Sequence, residues 1–231
     1  MERYSQIHEK RPREIVLLRG RGCAYRKCPF CDYHLDFCSD DEENFALNQS
    51  VLSRVTGKFH ELEVINSGSV FELDEKTLAL LRALCAEKHI SVLHFESHYL
   101  YEAQIPALRK AFAPVTLKMK LGLETFDDRF RETVLKKGIP VRDPKRIAKN
   151  FDEANFLFGI RGQTKESMER DLELGLNCFE RICVNLMCEN STPVKPDKAV
   201  ISLFLNELYP RYRDNERVDI LIDNLDFGVG A

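Results

Sequence analysis

The chain has 231 residues and a formal net charge of −3, with 44% hydrophobic and 31% charged residues. This size predicts a single domain over residues 1–231 with one core. Residues 1–13 within it are expected to form a flexible N-terminal segment. The absence of an apolar run of roughly 20 residues, of an apolar signal segment and of a long basic block argues against a membrane span, secretion and a nucleic acid partner, so a cytoplasmic protein is expected.

Short apolar runs, and a period-two alternation over residues 116–123, predict strands that alternate with helices along the chain. The predicted strands cover residues 14–19, 61–66, 91–96, 116–123, 155–160, 181–187 and 218–222. The predicted helices cover residues 74–85, 105–112, 126–135, 164–176 and 198–209. This alternation predicts an α/β fold with a parallel sheet. Six or seven such units are too few for a closed eightfold barrel, so an open, partial (β/α) barrel is expected.

The strongest local signal is the segment 20–32, Gly-Arg-Gly-Cys-Ala-Tyr-Arg-Lys-Cys-Pro-Phe-Cys-Asp, which follows the first predicted strand. Its cysteines, Cys23, Cys28 and Cys31, are predicted metal ligands because thiolates hold both iron–sulfur clusters and zinc. Three ligands leave one iron of a 4Fe–4S cluster open, whereas a structural zinc site has four closed ligands. Cys38 is a candidate fourth ligand, so a zinc-stabilised, non-catalytic binding protein stays an alternative.

The chain has eight cysteines, and in a reducing compartment they are not expected to form disulfides. Cys85 lies in a leucine-rich helical pattern and Cys183 in an apolar strand pattern. A free cysteine in such a pattern behaves as a small hydrophobic residue, so both are predicted to belong to the core.

These features together resemble the radical S-adenosylmethionine (SAM) superfamily, which places a three-cysteine loop after the first strand of a partial (β/α)6 barrel. The usual spacing in that superfamily is C-x-x-x-C-x-Φ-C, where Φ is aromatic. Here the first gap is one residue longer, and Phe30 is the aromatic residue. The resemblance implies a 4Fe–4S cluster on Cys23, Cys28 and Cys31, with SAM as the second cofactor.

Other segments resemble the SAM-binding motifs of that superfamily. Asn66-Ser-Gly-Ser69 takes the place of a Gly-Gly-Glu-like motif but lacks its acid, and Glu96-Ser97 ends the third strand. Gly122-Leu-Glu-Thr125, followed by Lys136-Lys-Gly138, resembles the branch that includes the Elongator catalytic subunit. Gly159-Ile-Arg-Gly162 resembles the turn near the adenine. The resemblance implies these cofactor-binding residues: Phe30, Ser67, Gly68, Glu96, Ser97, Glu124 and Arg161.

The resemblance also implies the chemistry. The open iron binds the amino and carboxylate groups of SAM, and one electron splits the S–C5′ bond. The resulting 5′-deoxyadenosyl radical abstracts hydrogen from the substrate. A reducing donor such as flavodoxin or ferredoxin is the implied partner. The chain shows no second cluster motif and no tRNA-binding module, which favours a small free molecule as substrate.

Within the superfamily, the compact architecture and residues 19–33 most resemble the queuine lyases of queuosine salvage. They convert free queuine to 7-aminomethyl-7-deazaguanine, so a deazaguanine base is the expected substrate. Carboxylates accept the N–H donors of a guanine-like edge, and His98, Asp223 and Asp226 are predicted substrate contacts from their position alone. The alternative is another radical SAM enzyme that acts on a tRNA deazaguanine or on a different small molecule.

Overall fold

A computed structural model describes residues 1–230 of the chain. Within this range there are eight strands and eight α-helices. The strands are β1 Tyr4–Ile7, β2 Arg13–Leu18, β3 Glu61–Asn66, β4 Val92–Ser97, β5 Thr116–Glu124, β6 Glu153–Phe158, β7 Arg181–Leu186 and β8 Val218–Leu221. The helices are α1 Asp41–Leu52, α2 Glu75–Glu87, α3 Ile105–Phe112, α4 Asp128–Thr133, α5 Pro144–Ala148, α6 Lys165–Cys178, α7 Lys198–Leu203 and α8 Tyr209–Tyr212.

The described strands form one sheet in which their order follows the chain from β1 to β8. β1 is antiparallel to β2, with Tyr4 opposite Val16. The pairs β2–β3, β3–β4, β5–β6, β6–β7 and β7–β8 are parallel. All seven predicted strands are therefore confirmed. They were readable because parallel strands covered by helices are buried on both faces and appear as apolar runs.

Internal contacts divide the chain into two compact units. Unit 1 comprises residues 1–26, residues 33–119 and the segment from Phe227 onward, and unit 2 comprises residues 27–32 and 120–226. Cys23 thus belongs to unit 1, whereas Cys28 and Cys31 belong to unit 2. The single domain over residues 1–231 stays a prediction.

The segment 1–13, expected to be a flexible extension, contains the strand β1. Its sequence, Tyr-Ser-Gln-Ile, contains no apolar run, and all four residues are half-buried. Its place is fixed by pairing with β2, and the Tyr4 hydroxyl donates to Glu14 Oε1 across 2.8 Å. Residues 4–7 are therefore an edge strand, and the flexibility of the rest of the segment stays a prediction.

The helices follow local capping signals. Asp74 caps α2 by accepting a hydrogen bond from Thr77 N at 2.7 Å, and Thr164 caps α6 by accepting one from Ser167 N at 3.2 Å. The helix predicted over residues 198–209 consists of α7, a π-helical turn at Phe204–Leu208, and α8. Every helix within residues 1–230 is too short or too polar to span a membrane.

Candidate functional site

Cys23 lies against the turn that follows β3, within unit 1. A Cβ atom on Gly68 would stand 3.1 Å from both the Cα and the backbone N of Cys23, so a side chain there would push the two segments apart. The neighbouring Ser67 hydroxyl donates to Asp36 Oδ2 at 3.1 Å. Two predicted SAM-binding residues thus lie beside one predicted metal ligand.

Glu72 brings a buried carboxylate to the same turn. Its Oε1 accepts hydrogen bonds from Ala24 N at 2.6 Å and from the Tyr101 hydroxyl at 3.1 Å, and its Oε2 accepts one from Ser69 N at 2.6 Å. Burial raises the pKa of the Glu72 carboxyl, although the hydrogen bonds from Ala24, Ser69 and Tyr101 oppose it. Sequence reasoning missed this residue, but the Ser69-x-x-Glu72 spacing of a capping box was a usable signal.

The end of β4 carries three predicted site residues. The buried Ser97 hydroxyl accepts a hydrogen bond from Ser69 Oγ at 2.9 Å and donates to His98 O at 3.0 Å, while Glu96 is half-buried. The His98 ring stacks on Tyr25, with centroids 4.3 Å apart, and its Nδ1 accepts a hydrogen bond from Leu100 N at 3.0 Å. Ser97 therefore joins the Gly68 turn, and His98 packs against a residue of the cysteine segment.

Two buried asparagines on α1 hold the backbone on either side of the cysteine segment, at residues 19 and 38. Asn48 Oδ1 accepts from Arg19 N at 2.9 Å, and Asn48 Nδ2 donates to Arg19 O at 2.8 Å. Asn44 Nδ2 donates to Cys38 O at 2.8 Å. These polar contacts explain why α1 escaped a search for apolar periodicity, since half of its four buried side chains are amides.

Cys28 and Cys31 lie in unit 2 on one apolar cluster. Both cysteines pack against it together with Val194, and its buried members are Phe30, Leu135, Leu157, Ile160 and Met187. Asn190 Nδ2 donates to Phe30 O at 2.8 Å, and Val194 N donates to Pro29 O at 3.2 Å. The loop at residues 190–196 therefore fixes the backbone between these two cysteines, a role that sequence reasoning missed.

A buried ion pair lies beside this cluster. Lys137 Nζ donates to Glu124 Oε1 at 2.8 Å and lies 5.6 Å from the centroid of the Phe30 ring. Burial lowers the pKa of the Lys137 ammonium. The negative charges of Glu124, Cys28 and Cys31 outweigh burial, so the pKa of Lys137 lies above its ordinary value. Glu124, predicted to contact SAM, is thus bound to a lysine that sequence reasoning did not single out.

Arg161 lines a cleft of about 510 Å³ between the loop after β6 and residues 193–198. Its guanidinium pairs with Asp197 at 3.3 Å and is otherwise exposed, with 92% of the side chain accessible. Gly159, with φ +95°, lies in the left-handed region, and its carbonyl accepts from Asp197 N at 2.7 Å. The cleft has the size of a small-molecule site.

The acidic segment after β8 has mainly local contacts. Asp226 Oδ2 accepts from Ile222 N at 2.6 Å and from Asp223 N at 2.9 Å, and Asp223 Oδ1 accepts from Leu225 N at 2.9 Å. Asp219, within β8, is instead buried against Arg181. The predicted substrate contacts Asp223 and Asp226 are exposed, and their role stays a prediction.

Among residues 1–230, no three His, Cys, Asp or Glu side chains form a group close enough to hold a metal ion. Cys23, Cys28 and Cys31 as ligands of one cluster therefore stay a prediction. The chemistry of the donor set fits such a cluster, since all three are half-buried cysteine thiols outside any disulfide. Cys38 is also free, and its Sγ accepts a hydrogen bond from Asp40 N at 3.4 Å.

Comparison with known proteins places this geometry in context. No protein-family model and no curated protein matches the chain. A solved queuine lyase from Clostridium spiroforme, bound to SAM and queuine, is 43% identical, with a TM-score of 0.96 over 100% of both chains. This match confirms the predicted fold class, an α/β partial (β/α)6 barrel of the radical SAM type.

Two structures of Streptococcus suis SuiB share the fold at much lower identity. The TM-scores are 0.56 for SuiB and 0.61 for SuiB bound to precursor peptide SuiA, both at 14% identity. The matches cover 89% and 91% of this chain but 48% and 49% of the SuiB chains. At this identity, the likeness shows the fold alone.

Proposed function

Because the chain belongs to the queuine lyase family of radical SAM enzymes, we propose that it converts free queuine to 7-aminomethyl-7-deazaguanine. The observation that carries this proposal is the full-length likeness to a solved queuine lyase that holds SAM and queuine. The zinc-stabilised, non-catalytic protein considered from the sequence is set aside on the same ground.

Cys23, Cys28 and Cys31 are the proposed ligands of a 4Fe–4S cluster. When bound, the cluster and SAM together supply a carbon-centred radical that abstracts hydrogen from the substrate. The protein supplies position and shielding. Gly68 lets the turn after β3 approach Cys23, and the apolar cluster that contains Phe30 packs against Cys28 and Cys31.

The proposed SAM contacts are Phe30, Ser67, Gly68, Glu96, Ser97, Glu124 and Arg161. In unit 1, Ser97 is tied to the Gly68 turn through Ser69. In unit 2, Arg161 lines a cleft whose volume of about 510 Å³ is ample for the adenine end of SAM. These placements support the proposed contacts of Ser97 within unit 1 and of Arg161 within unit 2.

His98, Asp223 and Asp226 are the proposed substrate contacts. A carboxylate has about four lone-pair sites. The Asp223 carboxylate accepts one backbone hydrogen bond and the Asp226 carboxylate accepts two, so both can also accept from the N–H donors of a deazaguanine edge. The stacking of His98 on Tyr25 supports its place near the cysteine segment.

The partners and compartment follow from the chemistry. The proposed partners are a small deazaguanine base and a reducing donor such as flavodoxin or ferredoxin. A cytoplasmic location is proposed because the thiol ligands of the proposed cluster require a reducing compartment.

The test is product analysis after anaerobic reconstitution with iron and sulfide. The protein is incubated with SAM, dithionite and a panel of deazaguanine bases, and mass spectrometry follows 5′-deoxyadenosine and 7-aminomethyl-7-deazaguanine. Both products are expected with queuine and neither with Cys28→Ala. Stoichiometric zinc without iron would contradict the proposal.

A second measurement separates the substrate alternatives. 5′-Deoxyadenosine without conversion of any free base would point to another radical SAM substrate. Tight binding of bulk tRNA at physiological salt in a gel shift would favour a tRNA deazaguanine instead.

A further inference from the structure

The Lys137–Glu124 pair stands out because both groups are buried, with 7% of Lys137 and 8% of Glu124 exposed. Removing two charges from water is unfavourable, and their attraction compensates for it only with good geometry. A pair of this kind is weak evidence for a purely stabilising role. Its location is therefore the informative feature.

The backbone around the pair is shaped to accommodate it. Glu124 has φ +70°, in the left-handed region that disfavours a side chain, and the pairing of β5 with β6 shifts register between Gly122 and Glu124. A Cβ on Gly122 would stand 3.0 Å from Lys137 Nζ and 3.3 Å from Glu124 Oε1. Strain of this kind concentrates at functional sites.

The ammonium contacts the apolar cluster on which two of the three predicted cluster ligands pack. Its Nζ lies 5.6 Å from the ring centroid of Phe30, which stands between Cys28 and Cys31 in the chain. Phe30 belongs to the apolar cluster against which Cys28 and Cys31 pack. A charge in such surroundings is screened less than one in water, so its field extends to the cysteines that pack on the same cluster.

Reduction of a cluster adds one negative charge to it. A fixed positive charge nearby stabilises the reduced form and raises the reduction potential, and the net charge around a cluster is one of the protein's means of setting that potential. Glu124 keeps the ammonium in place through its 2.8 Å hydrogen bond.

We propose that Lys137 is a positioning residue that raises the reduction potential of the cluster on Cys28 and Cys31, with Glu124 fixing its ammonium. The inference rests on the proposed function, since it requires a cluster at these cysteines. Glu124 then has a task in addition to its predicted contact with SAM.

The experiment measures the midpoint potential of the reconstituted cluster without SAM, by a redox titration followed by electron paramagnetic resonance. Lys137→Met is expected to shift the potential downward relative to the unmodified protein, and Lys137→Arg is expected to restore it. Lys136→Met removes the same charge at the next, exposed position and is expected to leave the potential unchanged.

A midpoint potential in Lys137→Met equal to that of the unmodified protein would overturn the inference, while SAM cleavage by the unmodified protein would leave the proposed function intact. An unmodified protein that takes up no cluster would overturn both. If Lys137→Met raised the SAM dissociation constant and left the potential unchanged, Lys137 would be assigned to SAM binding and the inference would be contradicted.

A second variant covers the case in which Lys137→Met leaves Glu124 buried without its partner and takes up no iron. The double variant with Glu124→Gln removes that charge as well. Its potential is expected to lie below that of Glu124→Gln alone, and equal potentials would overturn the inference.

Discussion

The carboxylate of Glu72 accepts a hydrogen bond from the backbone N–H of Ala24 across 2.6 Å. Ala24 directly follows Cys23, and Glu72 lies one 3₁₀ turn beyond the glycine that Cys23 touches. The second oxygen of the same carboxylate holds Ser69 N. One side chain therefore ties the first cysteine to the turn after β3.

Replacement of Glu72 by alanine is expected to destabilise the protein. The N–H groups of Ala24 and Ser69 would lose their acceptor. Water can replace it at the exposed Ala24, but the buried N–H of Ser69 would stay unsatisfied, which costs about 1–3 kcal/mol. Urea denaturation measures the loss. The control is Glu75→Ala at an exposed position, expected to change the free energy of unfolding by no more than about 0.5 kcal/mol. Equal stabilities for the two variants would show that the Glu72 contacts contribute nothing.

Two cysteine variants separate the predicted ligands from the core. Cys28→Ala is expected to abolish iron uptake with little change of fold, because Cys28 is half-buried. Cys85→Ala is expected to keep the iron and to lose on the order of 1 kcal/mol of stability, as for a small core group. Burial raises the pKa of the Cys85 thiol to about 11, so it stays protonated and is a poor metal ligand. Loss of iron in Cys85→Ala would refute the ligand assignment.

Asp171 is expected to make stability depend on pH. Burial raises the pKa of this carboxyl to about 7, above its ordinary value of 3.8, although hydrogen bonds from Thr125 and Phe126 oppose the shift. The folded state therefore binds the proton more tightly than the unfolded state. The stabilising contribution is complete below pH 3.8 and is lost as the pH rises to about 7, at on the order of 1.4 kcal/mol per pH unit.

The variant Asp171→Asn is expected to flatten that pH dependence, since the amide oxygen can still accept from Phe126 N. Chemical denaturation at several pH values between 4 and 8 gives the measurement. Glu173→Gln, at an exposed position on the same helix, is the control and is expected to keep the slope of the unmodified protein. A slope unchanged in Asp171→Asn would refute the prediction.

The buried pair between β7 and β8 predicts an asymmetric result. Arg181 donates from Nε to Asp219 Oδ2 at 2.9 Å and from Nη2 to Oδ1 at 2.5 Å. Asp219→Ala would leave the guanidinium buried without its partner, which is expected to lower the free energy of unfolding by roughly 3–5 kcal/mol. The double change Arg181→Met with Asp219→Leu is expected to recover most of that loss. A double variant as unstable as the single one would contradict this account.

The sequence predicts those parts of the fold whose signal is local. The strand over residues 116–123 shows a period-two alternation and the other predicted strands are apolar runs. Asp74 and Thr164 each mark a helix start through their own side chain. β1 and α1 were missed because their positions depend on pairing and on buried amides such as Asn48, and a hydrophobic pattern does not show these. The three-cysteine segment was readable from its spacing.

The contacts around that segment were less readable. The partners of Glu72 and Lys137 are distant in sequence and are brought near only by folding. A charged residue is more often on the surface than buried, so the sequence gives no reason to single these two out. For Glu124 the sequence indicated a position at a strand end, but it did not show the hydrogen bond to Lys137. Asp223 and Asp226 were predicted as substrate contacts from their position, which does not reveal that their carboxylates accept hydrogen bonds from nearby backbone N–H groups.

The Gly68 turn also bears on how proteins of this kind are recognised. A Cβ on Gly68 would collide with the Glu72 carboxylate, so the glycine and the acid occupy adjoining space although four positions separate them in the chain. A search pattern that demands an acid immediately after the glycine would pass over this chain. A pattern that allows the acid to arrive from the following turn would retrieve it, along with any other sequence that reaches the same arrangement by this longer path.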